Sequence, residues 1–233
     1  HITIKAPAYI NLDMENSYGD LFIQEVSGLV LLDLKYSNLK AGVLSRGKVR
    51  PVNQIEIAYS NGSIEEAGWI EMELAYSEME IGTAEMLSME SKYSKLIGEK
   101  IGKIHTEGAY DKYYIDDIDE YEAELKYSGI KFGKLHIRLD LESTYTSAKI
   151  NSLSRGFEQI NASLAYGNIS IGVEENASFK VDGESKYGKI HVGPEGRLSR
   201  QKEGTSMRVS GQVGNNPKGS MSLITKYGNI DIE

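Results

Sequence analysis

Apolar residues in this chain recur as short alternations interrupted at regular intervals, and a tyrosine marks each interruption. Tyrosines stand at Tyr18, Tyr36, Tyr59, Tyr76, Tyr93, Tyr110, Tyr127, Tyr145, Tyr166, Tyr187 and Tyr227, in steps of 18, 23, 17, 17, 17, 17, 18, 21, 21 and 40 residues. Aligned on them, the sixth residue before each tyrosine is mostly aliphatic, as in Leu12, Val30, Ile70, Leu87, Ile104, Leu139 and Ile160. Aliphatics also fill the third, fifth and eighth positions after it, as in Leu39, Ile64, Ile81, Ile101, Ile118 and Leu135. With the tyrosine itself counted as inward, inward positions are spaced 2, 2 and 2, then 3, 2, 3 and 3. Steps of two are strand alternation, and a step of three marks a corner.

This pattern predicts an all-β fold, a parallel β-helix (β-solenoid) with about 17 residues per three-sided coil and roughly eleven coils, as one domain over 1–233. Coils stacked at about 4.8 Å would make a rod on the order of 50 Å long. Parallel crossovers favour right-handed winding. An antiparallel barrel or sandwich would also have many short strands, but need not hold one register. A left-handed hexapeptide helix would favour 18 residues per coil. Gly42, Gly82, Gly133, Gly172 and Gly193, six residues past their tyrosines, read as corners. So do the small residues directly after tyrosine, among them Gly19, Ser37, Ser60, Ser77, Ser94 and Gly167, where positive φ is expected.

Two segments break the rhythm. Residues 45–53 enlarge one corner and carry Arg46, Lys48 and Arg50. Residues 194–220 form an insertion or terminal hairpin cap, with "SMRVSGQVG" and "SMSLITKYG" flanking "NNPKG" as a hairpin or an irregular last coil. A distorted end would protect the exposed strand edges of a stack. Its Arg197, Arg200 and Lys202 also make it a candidate partner contact.

Charge narrows the chemistry. The net charge of −8 argues against nucleic acid, which needs a basic surface. The absence of cysteine excludes disulfides, zinc–thiolate sites and thiol catalysis. No apolar run reaches the roughly 20 residues of a membrane span. The start "HITIKAPAYI" reads as a processed mature chain or a cloned fragment.

The acidic residues are not scattered. Three residues before the tyrosines stand Glu15, Asp33, Glu56, Glu73, Glu90, Glu107, Glu124, Glu142 and Glu184. Asp13, Glu71, Glu122, Asp140 and Asp182 precede them by two, against Lys35, Lys92, Lys126, Lys186 and Lys226 on the same face. That face sums to 5 − 14 = −9. Stacked carboxylates repel by roughly 1 kcal/mol per neighbour in water. Lysines, counterions and solvent offset this in the simplest case; the alternative is a surface that collects a divalent cation or a cationic partner. Glu56 through Glu142 are therefore the candidate interaction surface, although no EF-hand loop accompanies them.

Signals of catalysis are thin. His1, His105, His136 and His191 occupy different coil positions and suggest no shared site, and no GxSxG, P-loop or HExxH pattern occurs. No catalytic, cofactor or metal residue is assigned. Tyr113, Tyr114 and Tyr121 fall within one coil, as core filling or as a sugar platform. Asn161, Asn168 and Asn176 begin Asn-x-Ser sequons.

The units "YGDLFI", "YGNISI", "YGKIHV" and "YGNIDI", and the ending "SGQVGNNPKGSMSLITKYGNIDIE", resemble those of a bacterial adhesin-like β-helix family of unknown function. That family is frequent in exported Bacteroidetes proteins. "AYSEMEIG" and "GAYDKYYI" depart from its pattern after the tyrosine. The resemblance implies export, a periplasmic or cell-surface setting, and no catalytic residues. The resulting expectation is a non-enzymatic exported scaffold or binding module for a protein or glycan at the cell surface. A self-assembling filament of the bactofilin type is the alternative, and a carbohydrate-active β-helix enzyme is the third reading.

Overall fold

A computed structural model describes residues 2–233, so His1 lies outside the described residues. The strands are Leu12–Ser17 (β1), Asp20–Val26 (β2), Val30–Lys35 (β3), Asn38–Leu44 (β4) and Asn53–Ala58 (β5). Five long strands follow, Asn61–Ala75 (β6), Glu78–Lys92 (β7), Lys95–Ala109 (β8), Lys112–Lys126 (β9) and Gly129–Thr144 (β10). Then come Ser147–Leu153 (β11), Gln159–Ala165 (β12), Ile169–Val173 (β13), Phe179–Lys186 (β14) and Ile190–Val192 (β15). The chain finishes with Gly196–Glu203 (β16), Ser206–Val213 (β17), Gly219–Lys226 (β18) and Ile230–Ile232 (β19). From β1 to β13 successive coils pair in parallel, each residue facing its counterpart one coil away, as in Glu73↔Glu90↔Glu107. The molecule is a β-solenoid, and ten tyrosines from Tyr18 to Tyr187 delimit nine consecutive turns.

The tyrosine corner differs from the expectation in a way that explains it. The rings point outward, not inward, and from Tyr36 to Tyr227 they are 43–51% exposed. Each tyrosine itself, and not the small residue after it, carries the positive φ, between 50° and 64°. That left-handed kink turns the following residue inward, so the steps around the corner are 3 and 2. A non-glycine residue pays roughly 1 kcal/mol or more for this conformation. Stacking offsets the cost: ten ring pairs lie 4.6–5.1 Å apart and within 10° of parallel, and such pairs are worth about 0.5–1.5 kcal/mol.

Beneath the rings runs a second ladder. Ser60 Oγ accepts the Ser37 N–H at 2.8 Å, Ser77 Oγ the Ser60 N–H at 3.1 Å, and Ser94 Oγ the Ser77 N–H at 3.2 Å. Each hydroxyl donates in turn to the carbonyl two residues before it, as Ser60 does to Ala58 at 2.8 Å. These buried N–H groups point along the stack, so a small oxygen-bearing side chain is needed to satisfy them. At Asp111 the ladder carries a carboxylate instead, which accepts the Ser94 N–H at 2.7 Å and the Ser91 and Tyr113 hydroxyls at 3.1 Å each. Gly108 leaves the room for this cluster.

The core is the interior of the coil. Aliphatic columns fill it, and Tyr113, Tyr121 and Phe132 widen the middle with edge-on contacts. Tyr113 and Tyr121 are therefore core residues, while Tyr114 is partly exposed beneath the Lys95 ammonium. Gly42, Gly82, Gly133 and Gly172, six residues past their tyrosines, serve close approach and not positive φ: a Cβ at Gly82 would overlap the carbonyl oxygen of Glu65 on the adjacent coil.

The last coil breaks sequence order. Strand β18 lies between β12 and β14, parallel to both, and β19 lies between β13 and β15. Accordingly Tyr227 stacks on Tyr166 at 4.8 Å on one side and on Tyr187 at 4.6 Å on the other. The segments around "NNPKG" are not hairpin partners, because β14 separates β17 from β18. The hairpin is β16 with β17, and it closes the stack through antiparallel pairing of β17 with β14. The chain thus caps its end with the hairpin and then returns to fill the slot beneath.

Two outcomes test these ladders. Burial raises the Asp111 pKa above its ordinary value, against the pull of the Ser94 N–H and the Ser91 and Tyr113 hydroxyls. Its proton is therefore bound more tightly in the folded chain, and stability it contributes at low pH is lost as pH rises through the folded value. Urea unfolding at pH 7 should place Asp111→Ser at or above the parent protein, without that pH dependence. Asp111→Ala, leaving the Ser94 N–H unpaired, should lose about 1–3 kcal/mol. A Cβ at Gly228 would overlap the Gly167 carbonyl oxygen. Gly228→Ala should therefore cost about 3 kcal/mol or more and expose residues after 214 to protease first.

Candidate functional site

On the outer face of the stack Glu56, Glu73, Glu90, Glu107, Glu124 and Glu142 stand in one register row. Strand alternation turns them outward while Ile57, Leu74 and Leu125 beside them point into the core. They line a groove of about 860 Å³ that runs across the coils. Ala58, Ala75 and Ala109 also line it, and Lys35, Lys92 and Lys126 stand along the same row as the alanines.

The carboxylates are poorly compensated. Among the described residues, no lysine or arginine lies within ion-pair distance of any of the six glutamates. Lys35 pairs with Asp33 at 3.4 Å, while Lys186 and Lys226 lie over Tyr187 and Tyr227. Partial burial raises the pKa of Glu73, and the neighbouring Glu56 and Glu90 carboxylates raise it further. A smaller groove of about 450 Å³ shares Glu124 and Glu142 and continues to His105, Glu122, Asp140 and Asn161.

The other residues singled out in the sequence are not gathered here. Arg197, Arg200 and Lys202 are exposed on β16, the outer strand of the hairpin. Alternation sends Arg197 to one face of that strand and Arg200 and Lys202 to the other, so the three form no common patch. Charges on an edge strand block further strand addition. Of Tyr113, Tyr114 and Tyr121, two are buried in the core and Tyr114 lies beneath the Lys95 ammonium, so the three form no shared sugar platform. Histidines do have partners that the sequence reading missed. His105 lies 3.7 Å from Glu122 and 4.0 Å from Glu107, and His136 contacts Asp117. The signal was present in the columns: Asp119 and His136 each fall nine residues after a tyrosine, hence one above the other.

Like charges in a row should destabilise the folded chain. Glu90→Gln removes one member and its repulsion on both sides, so its thermal midpoint at low salt should exceed that of the parent. Added NaCl should narrow the gap by screening, and a gap that widens would overturn this account. Because the raised Glu73 pKa is a folded-state property, stability should rise on acidification through it, and Glu73→Gln should blunt that rise.

No curated protein and no solved structure matched the chain. The family profile described as Toastrack DUF4097 matches residues 43–233, a span that covers the row Glu56 to Glu142, most of the tyrosine corners and the terminal hairpin. The chain therefore belongs to the Toastrack DUF4097 family.

Proposed function

We propose that this protein is a non-enzymatic, exported scaffold whose acidic groove docks a cationic surface on a protein partner. The observation that carries this reading is the carboxylate row of Glu56 to Glu142, without a lysine or arginine ion pair, along a groove of about 860 Å³. Like residues on successive coils give a regular, rigid array of charge with a period near 4.8 Å. Such an array speeds encounter with an oppositely charged surface and sets its orientation. Groove-lining alanines admit long side chains, so lysines or arginines of an extended segment would reach the carboxylates. No helix among the described residues is long and apolar enough to cross a membrane. Cysteine-free composition suits an exported chain as well as a retained one, so export rests on the family resemblance.

The alternative is an end-to-end filament. Against it stands the hairpin β16–β17, whose antiparallel strands and exposed Arg200 and Lys202 replace the parallel edge that another molecule would extend. Sedimentation across a concentration series should show no growth beyond a small discrete species; continuous growth would favour the filament.

Calorimetric titration with a heptalysine peptide at low salt should give binding that weakens steeply with NaCl. The triple variant Glu73→Gln, Glu90→Gln, Glu107→Gln should lose at least about 10-fold in affinity, roughly 1.4 kcal/mol. Absence of binding, or binding unchanged in the triple variant, would remove the groove from consideration.

A further inference from the structure

A different corner of the stack gathers metal-ligating groups. Four turns of 17 residues run from Tyr59 to Tyr127, the next to Tyr145 takes 18, and that to Tyr166 takes 21. The added residue falls where the β9–β10 register shifts, between Leu135 and Arg138. His136 occupies this bulge. Its Nε2 lies 3.0 Å from Asp117 Oδ1 and 3.1 Å from Oδ2. The carboxylate of Asp119 joins them, with one ligand atom from each of the three residues within 4.8 Å of the others. On the far side of the ring, Ser154 Oγ lies 3.0 Å from Nδ1. None of these residues lines the acidic groove.

We propose that Asp117, Asp119 and His136 bind one divalent transition-metal ion of the zinc class. One imidazole nitrogen with two carboxylate oxygens is a borderline donor set that suits zinc or its neighbours. Calcium and magnesium favour sites built entirely of oxygen. Ser154 supplies the outer contact that such sites use. When Nε2 holds the ion, the proton resides on Nδ1 and Nδ1–H donates to Ser154 Oγ. Without the ion, the hydroxyl reverses and donates to Nδ1 while Nε2–H donates to Asp117. A serine hydroxyl can play both parts, so the ring stays in place in either state.

The surrounding charges leave the site anionic. Lys134, in register beside Asp117, is held by Glu174 at 2.7 Å. The Lys134 ammonium and the Arg155 N–H together keep the Glu174 carboxyl below its ordinary pKa. Lys100 flanks Asp117 on β8. The carboxylates and ring are partly exposed, so an ion can enter from solvent, and three protein ligands leave a position for water or a partner's side chain.

The same residues spell Asp–His–Ser, but a hydrolytic reading fails on its donors. The Ser154 N–H is given to the Leu135 carbonyl, the Arg155 N–H to Glu174 and the Phe157 N–H to the Ser154 carbonyl. No free pair of N–H groups beside Ser154 remains to hold an oxyanion.

The test is calorimetric titration of the EDTA-treated full chain with ZnCl₂ near pH 7.5. Expected is one zinc ion per chain, with His136→Gln abolishing uptake and Ser154→Ala weakening it by about 10-fold. His105→Gln and Glu90→Gln, which alter the acidic face alone, should leave uptake unchanged. Nitrogen-15 spectra should show the His136 proton fixed on Nδ1 in the zinc form. Circular dichroism of each variant separates loss of the site from loss of the fold. No zinc uptake by the folded parent, or uptake that survives in folded His136→Gln, would overturn the proposal.

Discussion

Parallel pairing in constant register is the constraint on which the rest of this molecule depends. Each strand bonds to its counterpart one coil away, so every side chain meets its own homologue at strand spacing. Residues that stack well on themselves are favoured and those that repel are costly. Tyrosine satisfies this at the kinked corner because ring stacking returns what the left-handed backbone costs. Serine satisfies it beneath, where one hydroxyl both accepts an N–H from one coil and donates to its own backbone.

In the glutamate row the same constraint works against stability. Strand geometry aligns six carboxylates with no lysine or arginine partner, although lysines stand one column away. A regular array of repelling charge on a rigid wall has its energy lowered by whatever cation covers it, which is why the groove carries the functional proposal. The His136 corner arises differently. There the register slips, and a slip is what allows a histidine to lie against carboxylates of the neighbouring coil.

One end of the stack shows how the fold limits itself. An open parallel edge invites another chain, and the antiparallel hairpin carrying Arg200 and Lys202 closes it. The glycines Gly167, Gly188 and Gly228 let the returning coil sit between its neighbours with backbone against backbone.

The solenoid, its period, the tyrosine ladder and the acidic row were all legible in the sequence, because strand alternation and self-stacking leave a periodic trace. Which way the tyrosines face was not, since an outward ladder and an inward one share the same spacing until backbone φ is known. Nor was the position of the final coil: the step of 40 residues from Tyr187 to Tyr227 says that the rhythm breaks, but only three-dimensional pairing places Tyr227 between Tyr166 and Tyr187. Arg197, Arg200 and Lys202 looked like one cluster because they are close in sequence, and strand alternation divided them. His136 was given no partner in the sequence, and stacking set it against Asp117 and Asp119 one coil away. Short-range order along one strand follows from local chemistry, whereas contacts between coils depend on how register is kept or lost across hydrogen bonds that the linear chain does not contain.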